Sequence, residues 1–164
     1  NGGSSRYYIT HKENKEIFIN KKNIDKALNY EKKFKLDKID IFLTFEKKIQ
    51  KIKKICNTKI ESILNLKQTI HGYGASTKGN VILLYFNIDN KQIKFISDRN
   101  PFKNNRYTPG TKIKIISEKK SRSLKPNYYF VLPWHFKKEI LIREIKIRKK
   151  NTKFIFPLPK FSII

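Results

Sequence analysis

Cysteine is nearly absent: the 164 residues hold one, Cys56. A single thiol closes no internal disulfide and builds no cysteine-rich zinc site. The expected compartment is a reducing cytoplasm. The three histidines, His11, His71 and His135, lack metal-ligand spacing, so no metal is expected. No apolar run reaches the roughly 18 residues that would span a bilayer, no signal peptide is visible, and no membrane partner is expected. Glycine and proline number six each, so punctuation is sparse. Acidic residues are few, 13 against 38 Lys and Arg, which leaves a formal charge of +25. That charge invites a nucleic-acid partner. Yet the lysines are spread along the chain rather than gathered in one arm. No helix-turn-helix spacing, paired stacking aromatics or zinc finger accompanies them. Nucleic-acid binding is therefore the second reading, although a positive field attracts any polyanion, nucleotide sugars included.

What is present is enough for a real core. Hydrophobic residues make up 38% and aromatics 13%, so wholesale disorder is excluded. One domain is expected over residues 1–164. The chain opens on Asn1 rather than Met, which suggests a fragment of a longer protein or a processed chain.

The organising stretch is His71-Gly72-Tyr73-Gly74-Ala75-Ser76-Thr77-Lys78-Gly79-Asn80. Gln68-Thr69-Ile70 before it suits a strand, and Val81 to Phe86 after it suits a buried helix. The segment reads as strand, glycine turn, helix. Gly72 and Gly74 permit backbone angles that a side chain resists, and Ser76 or Thr77 can cap the helix. Free N–H groups at a helix start attract anions, and Lys78 adds positive charge. An anion site, most naturally for phosphate, is expected here. It is not a Walker A loop, because Lys78 is followed by Gly79 rather than Ser or Thr. Nor is it a full dinucleotide fingerprint, which needs a third glycine where Thr77 stands.

Arg6 to Thr10 reads as a strand by its β-branched and aromatic content, and Glu16 to Ile19 as a short extended piece. Asn23 is the expected cap of a helix running toward Lys33. From Lys38 to Lys67 apolar residues recur in steps of three and four (Phe42, Phe45, Ile49, Ile52, Cys56, Ile60, Ile63, Leu66), the helical period. This long amphipathic helix has room for a kink near Asn57-Thr58. Further strands are expected at 92–97, 112–116, 128–132, 152–156 and 161–164, with a helix from Pro133 toward Arg148 and a charged loop from Glu118 to Lys125. Asp98-Arg99-Asn100-Pro101 falls where a parallel strand's carboxyl end meets ligand. Strands alternating with helices predict an α/β, Rossmann-like three-layer sandwich: a mostly parallel sheet, helices on both faces, and one long helix in the N-terminal half.

Six blocks resemble the C-terminal domain of SAM-dependent sugar C-methyltransferases. They are Asn1 to Arg6, Tyr73 to Asn80, Asp98 to Pro101, Tyr107 to Thr111, Leu132 to Phe136, and Phe154 to Pro159, in the order that family has them. The resemblance implies a three-part enzyme with a zinc module, a SAM-binding Rossmann domain and this third part, the sugar nucleotide lying between the last two. S-adenosyl-L-methionine would serve the parent enzyme, with none bound to this chain alone, and an upstream SAM-binding domain would be the partner. The isolated chain is expected to be inactive. Many relatives carry a base His where Asn1 stands, so His135, His71 or a residue of the missing part becomes the candidate base. The loss of that His keeps O- or N-methyl transfer open beside C-methyl transfer. Implied substrate contacts are Asn1, Gly2, Gly3, Ser4, Arg6, Tyr73, Gly74, Ala75, Ser76, Thr77, Lys78, Asn80, Asp98, Arg99 and Lys103. The amides of Gly74, Ala75 and Ser76 would face the ligand, while Arg6, Arg99 and Lys103 would pair with phosphates.

Overall fold

A computed structural model describes residues 5–164; the calls on Asn1, Gly2, Gly3 and Ser4 lie outside the described residues. The chain divides into two units, one ending at Ile49 and one running from Gln50 to Ile164.

In the first unit α1 spans Lys21–Lys33. Its cap is Asn20, whose side chain accepts from Asn23 N at 3.1 Å. The residue expected as the cap is thus the donor. The strand expected at Arg6–Thr10 and the extended piece at 16–19 do not form; a turn closed by Asn14 N donating to His11 O lies between them. β propensity without a partner strand does not hold a strand together. α2, Ile39–Asn65, begins in this unit and continues into the next.

In the second unit the predicted period is realised: Ile52, Cys56, Ile60 and Ile63 of α2 are buried. Phe42 and Phe45, earlier in the same stripe, stay exposed. The helix is unbroken through Asn57-Thr58, where Asn57 Nδ2 donates to Phe86 O at 2.9 Å. Next come β1 (Ile70–Tyr73), α3 (Thr77–Phe86), β2 (Phe95–Asp98), β3 (Lys114–Ser117) and α4 (Glu118–Ser123). β4 (Tyr128–Val131), α5 (Lys137–Arg143), α6 (Ile145–Arg148), β5 (Lys153–Phe156) and β6 (Ser162–Ile163) follow. α4 replaces the charged loop expected there. Ser117 caps it by accepting from Lys120 N at 3.2 Å, and Glu118 pairs with Arg122 one turn on, a spacing that favours helix. The single helix expected from Pro133 is broken into a 3-10 turn at Trp134–Phe136, then α5 and α6.

The sheet order is β3-β2-β1-β4-β5-β6. The first five strands are parallel, and β6 is antiparallel to β5. All four residues of β1 and of β4 are buried, as strands covered on both faces must be. On one face His71, Tyr73, Tyr129, Val131, Phe154 and Phe156 meet Ser121 of α4 and Ile140 of α5. On the other face β4 runs out into Leu132 against α3. A Cβ at Gly79 would come within 2.3 Å of Leu132 Cβ, so only glycine allows this helix to lie so close to the strand. Gly79 therefore does the packing job expected of a third glycine at Thr77. Gly72 likewise belongs to a strand, where a Cβ would lie 2.5 Å from Ile96 Cγ1. Gly74 alone, with φ of 78°, supplies the turn's positive φ. From Val81 onward α3 is apolar all round but only half buried: Ile82, Leu83 and Phe86 face inward, while Val81, Leu84 and Tyr85 are exposed.

Candidate functional site

Strand order reverses between β1 and β4: the chain moves outward through β2 and β3, then returns to the far side of β1. Crevices at the carboxyl ends of strands flanking such a reversal are where open α/β sheets take ligands. A cleft of about 610 Å³ opens there. Tyr73, Gly74, Ala75 and Ser76 line one side, Asp98, Arg99, Asn100 and Lys103 another, and Pro133, Phe136, Glu139, Ile140 and Arg143 a third, with Glu118 between them.

Seven of the predicted residues (Tyr73, Gly74, Ala75, Ser76, Asp98, Arg99 and Lys103) line this cleft, in a form the sequence did not disclose. The amides expected to face a ligand are spent inside the protein. Gly74 N donates to Ser97 O at 2.7 Å and Ser76 N to Gly74 O at 2.8 Å. Ala75 N donates to Asp98 Oδ2 at 2.7 Å. Ser76 does cap α3, accepting from Gly79 N at 3.1 Å. Asp98 is engaged in turn: Asn100 N donates to its Oδ1 at 2.8 Å and Lys103 Nζ lies 3.4 Å from its Oδ2. Lys103 also donates to Ala75 O at 2.8 Å. Asp98 and Lys103 thus form a clasp that fixes the β1–α3 turn to the end of β2. This disposes of one use of the site. An acidic residue at the end of the second strand can receive a ribose diol in dinucleotide folds, but here its oxygens are already taken.

Beneath the opposite wall lies a charged network that sequence reasoning missed. Glu144 is 2% exposed. Its Oε1 accepts from Tyr73 OH at 2.8 Å, Arg122 Nη2 at 2.8 Å and Arg143 Nε at 3.2 Å. Glu118 accepts from Arg122 at 3.1 Å and from Arg143 at 3.0 Å. Arg143 also donates to the Tyr73 hydroxyl and lies over that ring. Burial, reinforced by the bond to Glu144, pushes the Tyr73 phenol up and keeps it protonated. Burial alone would weaken the charge on Arg143, but its bond to Tyr73 and the two glutamates outweigh that and raise it. The legible signals were the Glu118/Arg122 spacing of four and the adjacent Arg143-Glu144.

The two expected bases lie elsewhere. His71 is buried in β1, its Nδ1 2.8 Å from Ser121 Oγ, which is 3.0 Å from Tyr129 OH. Burial, with Lys94 nearby, lowers it to about 4, so it is neutral near pH 7 and does not line the cleft. His135 is exposed and also outside the lining. Burial and the charge of Lys78 hold it below its ordinary value. Thr77, Lys78 and Asn80 are outside the lining as well; Asn80 Nδ2 donates to Pro109 O at 3.3 Å. Arg6, in the first unit, donates to Tyr8 OH at 3.3 Å.

Among the described residues no group of three or more His, Cys, Asp or Glu is arranged to hold a metal, and no helix is long and apolar enough to cross a membrane. Burial pushes the Cys56 thiol up to about 12, so it is no nucleophile at neutral pH.

Comparison with known proteins gives two matches. A family model described as "C-methyltransferase C-terminal domain" covers residues 1–159. The chain is also 33% identical over 97 residues to C-methyltransferase NovU of Streptomyces niveus. The match takes in 59% of this chain and 23% of that protein, so the chain spans about a quarter of its relative.

Proposed function

We propose, from the premise that this chain belongs to the C-methyltransferase C-terminal domain family, that it is the substrate-holding part of a SAM-dependent methyltransferase acting on a nucleotide-linked sugar. The family carries the methyltransferase assignment. The cleft at the strand-order reversal carries the substrate-holding role. With Asp98 and the turn amides engaged inside the protein, the methyl donor belongs to another part of the parent enzyme, an upstream domain of the same polypeptide working in the cytoplasm. What this chain contributes is a pre-set surface. The Asp98–Lys103 clasp holds the turn rigid, and the Arg143–Glu118–Glu144 network holds α5 to β1, so the cleft walls do not have to be ordered when ligand arrives.

The composition of the walls favours this reading over the nucleic-acid one. Residues 50–164 carry six side-chain carboxylates: Glu61, Asp89, Asp98, Glu118, Glu139 and Glu144. Asp98, Glu118 and Glu139 line the cleft, and Glu144 is one bond behind it. A surface selected for a polyanion leaves its lysines and arginines unpaired. Here acids gather where the cations are, which suits a ligand rich in hydroxyls with a small, localised negative charge.

Calorimetric titration of the chain with thymidine and uridine diphosphate sugars tests this. Binding near millimolar strength is expected. Arg99→Ala should weaken it about tenfold, by loss of a charge-assisted bond. Lys78→Ala, outside the lining, should change it less than twofold. Absence of binding by either series would end the reading.

A further inference from the structure

Resting on that reading, we propose that Glu139 is the group that reads the sugar, accepting a hydroxyl from the ligand, and that the ligand therefore lies across the cleft with its diphosphate toward Arg99 and its sugar toward α5.

The argument follows the carboxylates of the cleft one at a time. A carboxylate has room for about four hydrogen bonds. Asp98 receives three, from Ala75 N, Asn100 N and Lys103. Glu118 is bridged by two arginines. Glu144 is buried and receives Tyr73 and both arginines. Glu139 lines the same cleft and has neither a hydrogen bond nor an ion pair among the described residues. Its natural neutraliser on α5 is Arg143, four residues on, the spacing at which Glu and Arg pair along a helix. Arg143 is instead drawn to Glu118, Glu144 and Tyr73. The network that fixes Arg143 therefore leaves Glu139, at the cleft wall, with no bonded partner among the described residues.

A free carboxylate accepts hydroxyls and repels phosphate. On the β2 side Arg99 has no carboxylate partner among the described residues, whereas Lys103 and Arg143 are each paired. The unpaired cation and the unpaired anion thus stand on different walls, Arg99 just past β2 and Glu139 on α5. A sugar nucleotide carries its charge in the diphosphate and its hydroxyls beyond it, so only one direction satisfies both walls. Pro133, Phe136 and Ile140 beside Glu139 supply apolar contact suited to the ring faces of a deoxy sugar.

The experiment compares thymidine diphosphate glucose with bare thymidine diphosphate on the wild-type chain and on Glu139→Gln and Glu139→Ala. Glu139 is exposed on α5, so both variants should fold, as circular dichroism checks. The wild type should prefer the sugar nucleotide by about tenfold or more, the scale of a hydrogen bond to a charged group. Both variants should lose that preference, while their affinity for bare thymidine diphosphate is unchanged or slightly higher. Equal weakening of both ligands, no weakening of either, or a wild type without preference would overturn the role of Glu139 while leaving the cleft reading standing. If neither ligand binds the wild type, the cleft reading itself fails, and this inference with it.

Discussion

Eight residues make up β1 and β4, and every one is buried; α1 is 13 residues long, and none of its residues is. Both regions have the apolar residues their element needs. Ile24 and Leu28 sit four apart on α1, with Phe34 just past its end, yet each is about half exposed. The contrast separates two properties that a hydrophobicity pattern merges. Periodicity decides which face of an element is apolar; burial requires a second surface against it. Around β1 that surface exists on both sides, and the cleft forms where it stops. In residues 5–49 the described structure does not supply one.

Core truncation breaks the contrast most sharply. Phe130→Ala, at a side chain with no exposed area, should cost about 3–5 kcal/mol in chemical denaturation. Phe42→Ala, at 51% exposure, should stay within about 0.5 kcal/mol. Similar costs for the two would mean that the N-terminal helical region is packed far more tightly than its exposure indicates.

A smaller effect should appear on acidification. His71 has its folded pKa lowered from 6.5 to about 4 by burial and by Lys94. The unfolded chain then binds the proton more readily than the folded one between those values. The stability this histidine contributes is fully present above about pH 6.5, falls as pH drops through that window and is gone by about pH 4. The expected loss is about 3 kcal/mol. Wild type should therefore lose more stability than His71→Gln between pH 7 and pH 4. Parallel curves would contradict the burial of His71.

The parallel sheet and the long helix were legible because each rests on local pattern: short apolar runs between turn signals, and the 3.6 period through Ile52, Cys56, Ile60 and Ile63. The position of the cleft was legible too, through Gly74, Ser76 and the Asp98-Arg99 strand end. Its chemistry was not, for reasons of distance along the chain. Ala75 and Asp98 are 23 residues apart, and Tyr73 and Glu144 are 71 apart. No spacing rule connects them, and the two bonds change what the turn can do. The strand expected at Arg6–Thr10 failed for a related reason, since propensity does not say whether a partner strand is present. α4 was missed because Glu118 to Arg122 looks like loop composition until its i,i+4 pairing is counted. The two histidines drew attention by residue type, and burial in one case and position in the other set them aside.

The most direct test of the central claim is nitrogen–proton chemical-shift mapping of the chain with thymidine diphosphate glucose. The account expects the largest changes at Gly74, Ala75, Arg99, Asn100 and Glu139, around the carboxyl ends of β1 and β2 and the start of α5, with α1 unmoved. Changes centred on the lysines of α1, or spread evenly over the basic surface, would contradict it.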